Sequence, residues 1–422
     1  MLIDRLLTLL IPKGSLTVIL PGKPPKTYGP GGGKHLTIRL TDRRVALELV
    51  RNPRLAVGEA YMEGRLVIED GSILDLLELV LSANRWEKGG AGRKAINKGK
   101  LKKIAAMFRR NKPKASRRNV AHHYDLGDEL YESFLDPDMQ YSCAYYTDPA
   151  NSLEQAQEDK KAHIAAKLYL NPGQRVLDIG CGWGGMALYL NRVADVDVLG
   201  ITLSEHQLAR ARRRAEEAGV SDRVKFELID YRNLEGRFDR IVSVGMFEHV
   251  GLAHFPEFFA KCRELLADDG VMLLHTIGKL GKAGASPDPF VDKYIFPGGY
   301  LPSLPDIVSA SAPTRMIASD VETLRLHYAL TVREWLKRFT AARPRMAKLY
   351  DERFCRMWEF YLAGAIVFFE SGAGCNYQIQ YVRDRRALPI IRDYMAEAEA
   401  RYRAAGATPA PKKRPRRKTA EA

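Results

Sequence analysis

One stretch of this sequence is suited to holding a small ligand: Arg175-Val-Leu-Asp-Ile-Gly-Cys-Gly-Trp-Gly-Gly185. Val176 to Ile179 form a short apolar run of the kind that makes a buried parallel strand, and Asp178 precedes glycines at 180, 182, 184 and 185. The strand is expected to end in a tight turn and to open a helix through Met186 to Asn191. Glycines serve there because a Cβ would keep the backbone away from a ligand, and because some positions require positive φ. Gly180-x-Gly182-x-Gly184 lacks the third-glycine spacing of the dinucleotide fingerprint, and nothing basic follows to hold a pyrophosphate. No Gly-Lys-Ser/Thr closes a Walker loop. A carboxylate leading into Gly-x-Gly suits a ligand with an amine and a ribose rather than phosphates, which is the profile of S-adenosylmethionine.

The elements that must position this turn alternate along the chain. Ser152 with Gln155 starts a helix that runs to Leu170 and is stopped by Asn171-Pro172-Gly173. After the first strand come a strand from Val196 to Thr202, a helix from Glu205 to Ala218, strands Val224 to Ile229 and Arg240 to Val244, a helix from Pro256 to Leu266, and a strand from Val271 to His275. Such alternation argues for a doubly wound parallel sheet. Ligands sit at the carboxyl ends of its strands. Those ends carry Asp178 to Gly184, Thr202-Leu-Ser204, Asp230-Tyr231, Gly245-Met-Phe-Glu-His249 and His275-Thr-Ile277. Any one of these groups alone suits a cap or a packing position; jointly they form a site.

At 422 residues the chain exceeds one ordinary core, so two domains are expected. The net charge of +15 calls for an anionic partner: nucleic acid, an anionic membrane or an acidic metabolite. Cysteines at 143, 181, 262, 355 and 375 have no C-x-x-C spacing and no even framework, so a reducing compartment without structural zinc or disulfides is expected. Met1 to Ile11 is apolar but contains Asp4 and Arg5 and reads poorly as a signal peptide. The longest apolar run, Tyr361 to Phe369, is far short of the roughly 20 residues that span a bilayer. A soluble or peripheral protein is the expectation.

Residues 1–86 read as a small α+β unit: a helix before Pro12, β-type runs at Leu16 to Leu20 and Leu36 to Leu40 separated by a Pro/Gly-rich loop from Pro21 to Gly33, a third run from Arg65 to Glu69, and an amphipathic helix from Ile73 to Ser82. No catalytic constellation falls there, so an accessory or docking role is expected. Residues 87–118 form a basic linker, with thirteen Lys or Arg and no acid between Lys88 and Arg118. Its centre, Leu101 to Arg110, sets apolar residues at helical spacing against a basic face, the pattern of a helix that settles on an anionic surface. A solvated linker fits the charge run equally well. Nucleic acid would call for interleaved aromatics, and Phe108 stands alone. A catalytic domain over 119–403 and a disordered basic tail over 404–422 complete the expected division.

His123-Tyr-Asp, Tyr141-Ser-Cys-Ala-Tyr-Tyr146, Leu177-Asp-Ile-Gly-Cys-Gly-Trp-Gly184, Gly200-Ile-Thr-Leu-Ser204, Gly245-Met-Phe-Glu-His-Val-Gly251 and Lys293-Tyr-Ile-Phe-Pro-Gly-Gly299 resemble the cyclopropane-fatty-acyl-phospholipid synthases and the related mycolic acid enzymes. The resemblance covers about Asn119 to Tyr381. The first 118 residues match only loosely, through Gly58-Glu-Ala-Tyr-Met-Glu-Gly64. It implies an α/β fold, a Rossmann-like class I methyltransferase with a mostly parallel seven-stranded sheet. It also implies transfer of the S-adenosylmethionine methyl group to a cis double bond of a phospholipid acyl chain, followed by proton loss that closes a three-membered ring. An alkene is a poor nucleophile, so the methyl must be held in line with it in a dry pocket. The cationic intermediate needs negative potential or aromatic faces, and a base must remove a proton.

In the resembled family a bicarbonate ion acts as that base or its relay, and the matching positions are Cys143, Glu248, His275, Ile277 through its backbone, and Tyr328, where His327 is an alternative. For the cofactor, Asp178, Gly180 and Gly182 are expected at the methionine end, Thr202, Ser204 and Gln207 as neutral groups at the ribose, Asp230 and Tyr231 at the adenine, and Tyr141 with Ser142 folded over from the N-terminal side. Two departures from the family pattern, Gly127-Asp-Glu and Asp288-Pro-Phe290, touch none of these positions. Tyr361 to Phe369, with Trp358 before it, is a candidate wall for the acyl chain or plain helical core. The implied partners are unsaturated phospholipids at an anionic membrane surface and a possible second copy of the chain, without nucleic acid, and the implied location is cytoplasmic, at the inner membrane face. Methyl transfer without ring closure is the alternative within the same chemistry. A nucleic-acid methyltransferase lacks an Asn-Pro-Pro-Tyr motif here, and a non-catalytic lipid binder would not need the glycine cluster.

Overall fold

The computed structural model describes residues 13–81, 85–88, 127–281 and 288–407, together with positions 4, 7, 8, 10 and 11. Most of the expected first helix, nearly all of the basic linker, the His123 motif and residues 408–422 lie outside these.

The N-terminal part holds β1 (Gly14–Ile19), β2 (Lys26–Gly31), β3 (His35–Leu40), α1 (Arg43–Arg51), α2 (Pro53–Met62), β4 (Leu66–Asp70) and α3 (Ile73–Leu81). Its sheet has the order β2-β1-β3-β4. Strand β2 lies where the Pro/Gly-rich composition suggested only a loop. It is an edge strand antiparallel to β1, where Pro30 is tolerated because no strand among the described residues pairs with its outer side. The helices α1 and α2 also had no place in the sequence reading. Asp42 caps the first by accepting from the amides of Arg44 and Val45, and Pro53 opens the second.

The larger part runs through α4 (Asp128–Glu132), α5 (Leu153–Leu168), β5 (Arg175–Ile179), α6 (Gly185–Ala194), β6 (Asp197–Thr202), α7 (Glu205–Glu217), β7 (Val224–Leu228), β8 (Phe238–Val244), α8 (Phe255–Leu265), β9 (Leu266–Lys279), α9 (Pro289–Tyr294), α10 (Leu304–Ser311), β10 (Ile317–Leu324), α11 (His327–Leu349), α12 (Glu352–Glu370), β11 (Gly374–Val382) and α13 (Tyr394–Ala407). The seven strands lie in the order β10-β11-β9-β8-β5-β6-β7. The pairs among β5 to β9 are parallel, and β11 runs antiparallel to both neighbours. The order turns back at β5, so the crevice beyond its carboxyl end is the ligand position of a doubly wound sheet.

Two boundaries differ from expectation. The chain near 86 separates two sheets and not two cores: one hydrophobic cluster includes Leu16, Ile38 and Leu77 with Phe290, Trp335 and Trp358. A Cβ at Gly58 would lie 2.5 Å from Phe290 and 2.6 Å from Phe360, so a glycine is needed for α2 to lie against α9 and α12. Polar contacts follow the same seam, including Arg54 to Asp288 at 3.2 Å and Tyr61 to Glu359 at 3.1 Å. The last helix runs to Ala407, past the expected start of a tail at 404, because it packs on α5 through His163 and Glu399 at 2.7 Å and Arg403 and Asp159 at 2.9 Å.

Candidate active site

At the carboxyl ends of β5, β6 and β8 lies a cavity lined by Asp178, Gly180, Gly182, Thr202, Gln207, Asp230, Tyr231, Gly245, Met246 and His249. The segment before α5 closes it with Met139, Gln140, Tyr141 and Ser142. Gly180 and Gly182 have φ of 83° and 54°. A Cβ at Gly180 would strike Met246 at 2.8 Å, whereas one at Gly182 would meet nothing within 4 Å. The first glycine is thus required by close packing, and the second leaves bare backbone for a ligand to approach.

Asp178 is 1% exposed, and burial lifts its carboxyl to about 7 against a weaker opposing pull from Lys160. Its Oδ2 is buried without a hydrogen-bond partner. A ligand ammonium there would supply the missing donor and restore the ionised form. No acid stands at the end of β6. The Thr202 hydroxyl donates to Gln207 Oε1 at 2.9 Å, which fixes the Gln207 amide and leaves its Nε2 to donate. Ser204 does not line the cavity: its hydroxyl accepts from the Gln207 amide and caps α7. Asp230 lines the cavity, but Arg232 already holds its carboxylate, with Nε to Oδ1 at 2.9 Å and Nη2 to Oδ2 at 2.6 Å. The polar edge at this end of the cavity is therefore an ion pair and not a lone acid.

None of the five expected catalytic residues lines this cavity directly, but Glu248 adjoins it through His249 and Val250. Glu248 is 6% exposed, and its Oε1 accepts from the Ile277 amide at 2.5 Å. Oε2 is buried with no well-formed hydrogen bond, and burial lifts the group to about 7 against the weaker opposing pull of the Ile277 amide and the nearby Thr276 hydroxyl. Glu248 and Ile277 are therefore brought together.

His275 lies two residues back on β9, between β11 side chains. Gln378 receives a hydrogen bond from Lys167 at its Oε1, so its Nε2 must donate to His275 Nδ1, at 3.1 Å. The proton then sits on Nε2, 2.6 Å from the Asn376 amide. Turning that amide to present oxygen gives an acceptor to Nε2 and a partner to the otherwise unpaired Asn376 Oδ1. Burial, reinforced by Lys160 and Lys167, holds His275 well below its ordinary pKa, so the ring is neutral. Cys143 is buried with its thiol to the Ala144 carbonyl at 3.4 Å, and burial pushes the thiol up.

Of His327 and Tyr328, His327 is the scaffold. It accepts from the Tyr146 amide at 3.0 Å and stacks on Tyr145 at 4.9 Å, fixing the segment over the cofactor cavity. Tyr328 packs against Phe369 at 4.6 Å and Trp335 at 5.8 Å.

Sequence reasoning did not single out Met139, Gln140, Met246, His249 or Lys160. Met246 and His249 stood within the quoted Gly245 motif, and Gln140 beside Tyr141, so a fuller reading of those motifs would have reached them. Lys160 had no such signal. Burial lowers His249 to about 4, which keeps it neutral. Its ring is 5.8 Å from Phe296, which is 6.0 Å from Tyr361, whose hydroxyl is 3.1 Å from that of Tyr141. On α12, Tyr361, Gly364, Ala365 and Phe368 share one partly exposed face, and a Cβ at Gly364 would meet nothing within 4 Å. A contiguous aromatic cluster thus links the cofactor cavity to this partly exposed helix face.

Residues 111–379 match the family model of mycolic acid cyclopropane synthetase. A probable fatty acid methyltransferase of Pseudomonas putida is 41% identical over 288 residues, covering 65% of this chain and 73% of that protein. The cyclopropane-fatty-acyl-phospholipid synthase of Escherichia coli K12 is 48% identical over 240 residues, 57% of this chain and 61% of its own length. Among solved structures, the mycolic acid cyclopropane synthase CmaA1 complexed with SAH and CTAB aligns with a TM-score of 0.60 and 33% identity, covering 63% of this chain and 97% of that one. A class I methyltransferase sheet with the match running from 111 to 379, well over half of the chain, places this protein in the mycolic acid cyclopropane synthetase family.

Proposed function

We propose that the protein transfers a methylene group from S-adenosylmethionine to the cis double bond of an unsaturated phospholipid acyl chain, forming a cyclopropane ring. The observation that carries this reading is Glu248: a buried carboxylate beside the cofactor cavity, anchored at Oε1 and with Oε2 lacking a donor. Methyl transfer to an alkene leaves a proton to be removed, and a carboxyl raised to about 7 is matched to that work near neutral pH. When bound, S-adenosylmethionine supplies an electrophilic methyl group. Asp178 meets its ammonium, and the Gly180 to Gly184 turn lets it approach the sheet. Tyr141 offers a ring face to positive charge in the cavity, and Tyr361 and Phe296 pack behind it. The open face of α12 at Gly364 accommodates the acyl chain.

Bicarbonate fits one feature of the site. Its single O–H would supply the donor that Glu248 Oε2 lacks, so the ion would relay a proton to Glu248, whose Oε1 is held by the Ile277 amide. Cys143, His275 and Tyr328 lie outside the cavity lining and take no step in this reading.

Peripheral association with the inner, anionic face of a membrane accounts for the basic linker, and no helix among the described residues is long and apolar enough to cross a bilayer. Replacing Lys102, Lys103, Arg109 and Arg110 by neutral residues is expected to weaken co-sedimentation with anionic vesicles in a salt-sensitive way. Unchanged binding would remove the linker from this role.

The test of function is proton NMR of acyl chains extracted after incubation with S-adenosylmethionine and monounsaturated phospholipid vesicles. Upfield ring-methylene signals with loss of vinylic protons are expected. Gain of one carbon with olefinic protons retained would instead establish the methyl-branching reaction, the reading favoured by the name of the Pseudomonas putida relative.

A further inference from the structure

The three buried lysines of α5 are not alike. Lys161 pairs with Asp138 at 2.6 Å, and Lys167 pairs with Glu322. Lys160, fully buried at 0% exposure, has no carboxylate within 4.0 Å among the described residues. Its ammonium instead donates to two neutral oxygens, Gln140 Oε1 at 2.5 Å and Ser142 Oγ at 2.9 Å. These two residues flank Tyr141, and all three line the cofactor cavity. Gln157, one turn earlier on α5, donates to the carbonyls of Gln140 and Ser142 at 3.1 Å each, so the same helix fixes both the backbone and the side chains of this wall.

Asp136 and Asp138 act on this ammonium only through space, and a buried ammonium without a bonded carboxylate is costly unless an anion adds to that compensation. The placement also decides a polarity. A hydroxyl oxygen that accepts from an ammonium must direct its own hydrogen elsewhere. Ser142 therefore becomes a donor on the cavity side, with a positive charge one hydrogen bond behind it. The same cavity contains Asp178, whose Oδ2 lacks a donor. The cavity thus has a negative pole and a positive pole, the complement of a zwitterionic α-amino acid group.

We propose that Lys160 is a positioning residue for cofactor recognition: by fixing Ser142 as a hydrogen-bond donor, and by placing charge behind it, Lys160 selects the carboxylate of the cofactor's amino acid moiety. This rests on the reading that the cavity holds S-adenosylmethionine and its product. Lys160 does not touch the reacting atoms; it acts through Ser142, while Asp178 takes the ammonium.

The experiment compares two probes by titration calorimetry on the full chain: S-adenosylhomocysteine, which carries the amino acid group, and 5′-methylthioadenosine, which lacks it. For Lys160→Met and for Ser142→Ala, affinity for S-adenosylhomocysteine is expected to fall about tenfold or more, as for loss of a charge-assisted hydrogen bond, while affinity for methylthioadenosine changes less than about twofold. The double variant is expected to lose little beyond Lys160→Met, because the lysine acts through the serine. Equal losses for both probes would show that Lys160 only maintains the fold, and unchanged binding of both would show that it does not contribute; either overturns the proposal. Should Lys160→Met not fold, the ratio for Ser142→Ala decides in the same way. Failure of the unmodified protein to bind either probe would overturn the cofactor reading itself.

Discussion

Glu248→Gln separates the chemistry of the site from its architecture. The amide keeps the shape of the carboxylate, and its oxygen continues to accept the Ile277 amide proton now held at 2.5 Å. What is lost is the basic oxygen at Oε2. Loss of a positioned proton acceptor lowers turnover by about 10²- to 10⁴-fold, so ring formation is expected to fall by that factor with binding of S-adenosylhomocysteine unchanged. Stability is expected to respond in the opposite sense. Burial raises Glu248 from 4.5 to about 7 in the fold. Between those values the folded protein keeps a proton that the unfolded chain releases, so stability falls as pH rises through this window. The full difference corresponds to about 3 kcal/mol, complete above the folded value and absent below the unfolded one. The glutamine variant does not titrate there. Its stability relative to the unmodified protein should therefore improve progressively from pH 4 to pH 8. Denaturant unfolding at several pH values, with the NMR assay of ring formation, reads both effects. A variant that retains activity within about tenfold, or a stability difference that is flat with pH, would refute the assignment of Glu248 as the buried proton acceptor.

Asp178→Asn removes the charge expected to meet the cofactor ammonium. Affinity for S-adenosylhomocysteine by calorimetry is expected to fall about 10- to 100-fold, with no loss of thermal stability, because the native carboxylate lacks a donor at Oδ2. Gly364→Leu fills the open space on α12. It should abolish turnover of phospholipid vesicles and leave cofactor binding unchanged, and the helix gains about 1 kcal/mol from replacing glycine. Gly58→Ala places a methyl group 2.5 Å from Phe290. It is expected to cost about 1–3 kcal/mol of stability by overpacking the seam between the two sheets, measured as a lowered denaturant midpoint.

The cofactor half of the site was legible because its determinants are local. A strand, an acid and a glycine turn follow one another within eleven residues, and periodicity marks each strand whose end contributes a group. Eight of the expected cofactor positions besides Tyr141 line one cavity because parallel strands bring their carboxyl ends together. Ser204 went astray because a serine before a helix serves equally as a cap, and sequence spacing does not say where its hydroxyl points. Strand β2 was hidden because its pairing with β1, and not its Pro/Gly-rich composition, makes it a strand.

The proton-handling half was a matter of tertiary structure. The motif marked Glu248, but its raised pKa and unpaired oxygen come from burial and from Ile277, 29 residues away. Gln378, itself held by Lys167, sets the tautomer of His275 across more than 100 residues. Lys160 reads in the sequence as one more charge on a helix whose neighbouring lysine is ion-paired. Only the packing of α5 against the segment before it removes water from that ammonium, and only then does its charge bear on the cavity. Sequence fixes the order of chemical groups along the chain; desolvation and hydrogen-bond partners, which depend on segments far apart in that order, decide their ionisation and the direction in which they act.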